Sequence, residues 1–258
     1  MRITSEQNSK IKLVKRLRGR RARQSEARFV IDTERDLQRA LQLGYCADFI
    51  LHQDDFDVSR SYAAVEAHQV SAALLKRISY RENPAGFVAV VKSKRAQGLP
   101  ELRAAGIHTA LVLVDLGVPG NIGALLRTAD AAAMDAVILV NTALDLYNPN
   151  VIRSSTGACF RHNIYNLSDG EALDFLAAEA FQLVAADAAG ERELYEVEFE
   201  HRSAIAMGSE DRGLPAKWIE AADLVARIPM AGAASDSLNV SVSGALFMYE
   251  LHRQRRRD

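Results

Sequence analysis

Three segments carry polar side chains at places where a chain can do chemistry. They are VPGNIGALLR at 118–127, GSEDRGLP at 208–215 and IPMAGAASDSLNVSVSGALFMYE at 228–250. Asn121 has a donor and an acceptor on one amide. Arg127 follows six residues later in the same predicted helix, within an apolar, alanine-rich stretch where an arginine has no evident surface role. The competing reading is an arginine that faces solvent. Glu210 follows Gly208 and Ser209, where it can accept from Asn121, from Arg127 or from a loop amide. Ser237 and Asn239 stand at the start of a helix, where short polar side chains cap free amides. Gly208 and Gly232 let the backbone approach a ligand, with the alternative that they only make turns. Together these groups suit the binding and orientation of a small ligand and its reaction partner.

The elements that must position them are short. Leu111–Val114, Ala204–Met207 and Leu224–Ile228 are continuous apolar runs, the pattern of parallel strands buried on both faces. Each leads into one of the polar segments. Helices are predicted over Asn121–Ala133, Leu173–Ala180 and from about Asn239 onward, and further strands at Val137–Leu139 and Gln182–Ala186. VIRSSTGACF reads as another helix, and Asp187–Glu200 as peripheral. This alternation gives an open α/β sheet with a ligand crevice at the carboxyl ends of its strands.

The three segments resemble the three motifs of the SpoU, or TrmH, family of RNA ribose 2'-O-methyltransferases. Pro119, Asn121, Gly123 and Arg127 supply the first motif, after a strand and opening a helix. The resemblance implies a C-terminal SPOUT domain with a mostly parallel sheet and a deep trefoil knot, which spacing does not show and general priors disfavour. It implies S-adenosyl-L-methionine as the cofactor, held by Met207, Gly208, Ile228, Pro229, Met230, Ser237 and Leu238. It makes Arg127, Asn121, Glu210, Ser237 and Asn239 the catalytic set. Arg127 would activate the 2'-hydroxyl with help from an RNA phosphate. A guanidinium rarely gives up its proton, so holding the phosphate and the ribose oxygen is its sounder role. Two positions depart from the family pattern, Val118 where aspartate is common and Asp236 in the third segment. Neither removes a catalytic group.

The N-terminal part looks like the L30-like substrate-binding domain of the same family, with FVIDTERDLQRAL as its phenylalanine-led strand and following helix. Asp32–Thr33 replaces the usual Glu-Gly. Strands at Phe29–Ile31, Phe49–Leu51 and 86–92 and helices to Leu43 and over Ser71–Ile78 make a small α/β domain. Its boundaries are 1–95, with a linker at 96–108 and the methyltransferase domain at 109–258. A helix over 4–18, capped by Thr4 or Ser5, turns Ile11, Val14 and Leu17 inward.

The net charge of −1 hides a basic cluster. Lys12, Lys15, Arg16, Arg20, Arg21 and Arg23 are expected to meet RNA phosphates, since guanidinium groups pair bidentately with them. Arg153 resembles a family position near RNA. A plain solvated surface is the rival reading for the basic helix and for Arg153. Arg253, Arg255, Arg256 and Arg257 make a second basic cluster at the C-terminus. The chain has two cysteines, Cys46 and Cys159, and neither has a Cys or His at metal-ligand spacing. No metal is expected, no membrane span, and a cytoplasmic location with reduced thiols. Structured RNA is the expected substrate, 23S ribosomal RNA first and transfer RNA second, and family members form homodimers. A non-catalytic RNA-binding assembly factor is the rival from another class. A dinucleotide-dependent oxidoreductase lacks its GxGxxG turn.

Overall fold

A computed structural model describes residues 2–58, 62–82, 84–141, 145–161, 163–232 and 237–256. Asp236 and Arg257, both singled out above, lie outside them. The chain forms two compact units, residues 1–95 with 145–160, and residues 96–144 with 161–258.

The first unit opens with β1 (Arg2–Ile3), α1 (Ser9–Arg16) and α2 (Arg20–Glu26). The single helix expected over 4–18 is therefore wrong at both ends. Asn8 caps α1 by accepting from the Lys10 amide, and the chain turns at Gly19 into a second basic helix. Ile11, Val14 and Leu17 are fully buried, as their spacing requires. Next come β2 (Arg28–Ile31), α3 (Glu34–Gln42), β3 (Ala47–His52), β4 (Glu66–Val70), α4 (Ala72–Ile78) and β5 (Phe87–Lys92). Thr33 caps α3 and Ser71 caps α4. The sheet order is β1-β4-β3-β5-β2, with β5 antiparallel to both neighbours. Sequence reading missed β4 (EAHQV), which has no continuous apolar run to announce it.

The second unit is a seven-stranded sheet. It contains α5 (Leu99–Ala104), β6 (Thr109–Val114), α6 (Pro119–Ala131) and β7 (Ala136–Val140). The chain then supplies α7 (Pro149–Ser155) to the first unit and returns with β8 (Ile164–Leu167), α8 (Asp169–Ala178) and β9 (Gln182–Ala186). A two-residue β10 (Arg192–Glu193), β11 (Ser203–Met207), α9 (Ala216–Ala221), β12 (Leu224–Arg227) and α10 (Val240–Arg255) complete it. The order is β10-β12-β9-β11-β6-β7-β8, and every pairing is parallel. All residues of β6, β7 and β11 are buried, which is why they read as unbroken apolar runs. Such a sheet is consistent with the knotted SPOUT arrangement. Trp218, Phe175 and Leu102 pack on one face of it.

Two boundaries change. Residues 96–108 are not a free linker, because Leu102 is fully buried in the core of the second unit and Gln97 bridges to Tyr165. Residues 145–160 join the first unit through rings. Tyr147 stacks on Phe29 at 4.4 Å, and Phe160 lies 5.7 Å from Phe29 and 5.2 Å from Tyr45. The Tyr147 hydroxyl also accepts from the Lys94 amide at 3.0 Å.

Candidate active site

The strands β9, β11 and β12 end together, and a cavity of about 850 Å³ opens beyond their carboxyl ends. Met207, Gly208, Ile228, Met230, Ser237 and Leu238 all line it. Pro229 lies between two lining residues without lining the cavity itself. Asp187, Arg212 and Arg227 also line it and were not foreseen. Asp187 directly follows β9 and opens a segment that reads as peripheral, so no sequence signal marks it.

Gly208 is required by the chain's own geometry. A Cβ there would lie 2.1 Å from the Gly213 carbonyl carbon. The loop after β11 folds back on itself, with paired Ser209–Gly213 backbone bonds of 2.9 and 3.2 Å. The glycine thus permits a backbone-to-backbone approach within a turn, the alternative that the sequence offers beside a ligand role. Gly232 has nothing within 4 Å of such a Cβ and sits beside open cavity.

The polar groups converge. Oε1 of Glu210 accepts from Nδ2 of Asn121 at 2.7 Å and from Nδ2 of Asn239 at 2.7 Å. The two asparagines also meet at 3.3 Å. Asn121 is in the first turn of α6, and Asn239 caps α10 by accepting from the Ser241 amide. The helices can approach this closely because Gly244 of α10 faces Leu125 of α6; a Cβ at Gly244 would lie 2.4 Å from Leu125 Cδ2. Ser237 is exposed and is not the cap, a role the sequence reading assigned to it.

Arg127 is elsewhere. It is exposed on α6, makes no hydrogen bond or ion pair among the described residues, and does not line the cavity. Six residues at about 100° each place it roughly 240° around the helix from Asn121. The structure of one chain therefore does not bring Arg127 to the cluster of Asn121, Glu210 and Asn239.

The basic residues of the first unit separate into two groups. Lys12, Arg20 and Arg21 are exposed without partners among the described residues. Lys15 pairs with Glu6 at 2.6 Å, and Arg16 pairs with Glu26. Lys15 is the largest influence holding the Glu6 carboxyl below its usual range, with Arg77 next. Arg23 corrects the sequence reading. Its side chain is 4% exposed, pairs with Asp145 at 2.6 Å and donates to the Leu17 and Arg18 carbonyls at 2.7 Å. A buried guanidinium held by one carboxylate and two carbonyls is a structural tie, unavailable to phosphate. Arg153 is exposed and donates to Asn150 at 2.8 Å.

Among the described residues no group of three or more His, Cys, Asp or Glu side chains is placed to hold a metal ion. No helix among them is long and apolar enough to cross a membrane.

Residues 108–249 match the SpoU rRNA methylase family. The chain belongs to that family. Residues 8–89 match the MRM3-like substrate-binding domain. The chain is 28% identical over 250 residues to the 23S rRNA (guanosine(2553)-2'-O)-methyltransferase RlmP of Bacillus subtilis (strain 168), covering 96% of this chain and 98% of that one. A crystal structure described as an RNA 2'-O ribose methyltransferase is 41% identical, with a TM-score of 0.85 over 99% of this chain and 100% of that one. The AdoMet-bound rRNA methyltransferase from Sinorhizobium meliloti is 26% identical, with a TM-score of 0.88 over 98% of this chain and 97% of its own. The SpoU member described here is an S-adenosylmethionine-dependent RNA 2'-O-methyltransferase with a SPOUT-type catalytic unit and an N-terminal substrate-binding unit.

The cavity suits that cofactor. Its volume is in the range of nucleoside-sized ligands. Ile228, Met230 and Leu238 offer apolar surface for a ring, while Asp187 offers a polar partner.

Proposed function

We propose that this enzyme methylates a ribose 2'-hydroxyl of 23S ribosomal RNA. The observation that carries the reaction is the Glu210-centred cluster of Asn121 and Asn239 beside the cavity. The cofactor, when bound, supplies an electrophilic methyl group. Met207, Gly208, Ile228, Met230, Ser237 and Leu238, which line the cavity, would hold it, with Pro229 shaping the turn between two of them. Glu210 fixes the two amides so that Asn121 and Asn239 present fixed donors and acceptors to the incoming ribose, and positioning provides much of the rate. Arg127, exposed and without a partner among the described residues, engages an RNA phosphate electrostatically.

The ribosomal target is supported by the alignment with a 23S rRNA enzyme over nearly the whole chain, the N-terminal unit included. Transfer RNA is the second reading. Lys12, Arg20, Arg21 and Arg153 contact phosphates of structured RNA. A homodimer forms through α10, where Val242 and Tyr249, seven residues apart on one helix face, are 47% and 50% exposed.

The test uses labelled S-adenosylmethionine with deproteinised ribosomal RNA and transfer RNA in separate reactions, followed by nucleotide digestion. Label on a ribose of 23S RNA, lost in Arg127→Ala, is expected. Label confined to transfer RNA overturns the ribosomal target, and label on a base overturns the 2'-O chemistry.

A further inference from the structure

Among the described residues, four charged side chains line the cofactor cavity: Asp187, Glu210, Arg212 and Arg227. Two of them are already engaged. Oε1 of Glu210 accepts from Asn121 and Asn239. Arg227 donates to the Gly190 carbonyl at 2.8 Å and to Glu193 at 3.4 Å, which ties the segment after β9 to the end of β12. Asp187 and Arg212 are the other two. The Asp187 amide donates to the Ala226 carbonyl at 3.0 Å, which anchors the backbone at the mouth of the cavity. Its Oδ1 accepts from the Ala189 amide at 2.8 Å, while Oδ2 has no hydrogen bond among the described residues. Arg212 stands in the loop after β11. It is exposed, and its side chain makes no hydrogen bond or ion pair among the described residues.

These two charges are neighbours that do not pair. A Cβ built on Gly213, the residue after Arg212, would lie 3.4 Å from Oδ2 of Asp187. The carboxylate therefore sits against the loop that carries the guanidinium, and the two are not joined by an ion pair among the described residues. Closing such a solvated pair would gain little. A ligand that brings a cation to one and an anion to the other gains from both, through charge-assisted hydrogen bonds and the fork of the guanidinium. An ammonium and a carboxylate on one carbon have that pattern. Adenosine carries neither charge, and a sulfonium supplies only the cation. An RNA phosphate would satisfy Arg212 and be repelled by Asp187.

We infer that Asp187 and Arg212 form the subsite for the amino-acid end of the cofactor, with Oδ2 of Asp187 on the ammonium and the Arg212 guanidinium on the carboxylate. The inference rests on the S-adenosylmethionine reading of this cavity and extends it to two side chains outside the set named above.

The test is isothermal titration calorimetry on the full chain without RNA, using three ligands. S-adenosylhomocysteine keeps the amino-acid end and has no sulfonium charge. 5'-Methylthioadenosine keeps adenine, ribose and sulfur and lacks that end. Decarboxylated S-adenosylmethionine keeps the ammonium and lacks the carboxylate. Asp187→Asn and Arg212→Ala should each weaken S-adenosylhomocysteine about tenfold, the scale of one charge-assisted contact, and leave methylthioadenosine within about twofold. The decarboxylated ligand should lose affinity in Asp187→Asn and not in Arg212→Ala. Asparagine keeps an oxygen for the Ala189 amide, and the Arg212 side chain holds nothing in the fold among the described residues, so both variants should melt as wild type does. Methylthioadenosine binding reports in each variant that the cavity is intact. Unchanged affinity for S-adenosylhomocysteine in either variant overturns the inference. So does an equal loss for methylthioadenosine, which would put the residue on the adenosine part. Wild type that binds neither S-adenosylhomocysteine nor methylthioadenosine overturns the cofactor reading itself, a result distinct from the first two.

Discussion

The Asn239 side-chain amide donates to Glu210 across 2.7 Å, joining the cap of α10 to a loop 29 residues earlier in the chain. That same carboxylate oxygen accepts from Asn121 at the start of α6. One acidic group therefore sets the orientation of two amides that belong to different helices. Replacing Glu210 with Ala frees both. Methyl transfer by Glu210→Ala should fall on the order of 100-fold in kcat, the scale of a misplaced reacting group. Glu210→Gln keeps an acceptor oxygen and should recover part of that loss. Equal kcat for wild type and Glu210→Ala at saturating cofactor and RNA would remove the cluster from the mechanism.

Gly208 and Gly232 both line the cavity, and they should behave oppositely. A methyl group on Gly208 meets backbone at 2.1 Å, where no side chain can swing aside. Gly208→Ala should cost about 3 kcal/mol or more, at the upper end of overpacking, and should abolish cofactor binding as the loop shifts. Gly232→Ala meets nothing within 4 Å and should leave the melting temperature unchanged. Thermal melts with and without S-adenosylmethionine separate the two cases.

Arg23 and its neighbours Arg20 and Arg21 look alike in sequence and differ in the fold. Arg23→Ala strands the Asp145 carboxylate, which is 8% exposed, and should destabilise the protein by about 3–5 kcal/mol. The RNA affinity of whatever remains folded should keep its salt dependence. Arg20→Ala with Arg21→Ala should do the reverse, with little change in melting and a salt slope lower by about 2. Denaturant titration and binding across a salt series read both outcomes.

These contrasts mark what the sequence made legible. Buried parallel strands such as β6 and β11 announce themselves as unbroken apolar runs, and the loops after them carry polar residues at fixed offsets, so Asn121, Glu210 and Asn239 were found together. Asp187 was not, because a lone aspartate after a strand has no pattern around it. Arg23 was misread because its partner is 122 residues away, and a buried ion pair of that separation leaves no local trace. The segment 145–160 was placed with the wrong unit for the same reason: its tie is the stacking of Tyr147 on Phe29, two aromatic residues that look like ordinary core in a linear reading. For Arg127 the legible and the illegible parts divide differently. Membership in one helix was legible, but the angle around that helix puts it away from Asn121.

The two cysteines should separate by reactivity and by pH. Cys46 is exposed, and Cys159 is fully buried, with burial pushing its thiol from 9.0 up to about 12. A thiol reagent on native protein should modify Cys46 alone, and denaturant should release the second equivalent. The raised thiol also fixes the sign of a pH effect. Its folded-state value lies above its unfolded one, so the folded form retains the proton longer. The associated stability is fully present below about pH 9 and is lost as pH rises toward 12. Melting temperatures of wild type should therefore fall more steeply than those of Cys159→Ala across that window. Parallel curves for the two proteins would show that Cys159 has no part in the alkaline transition.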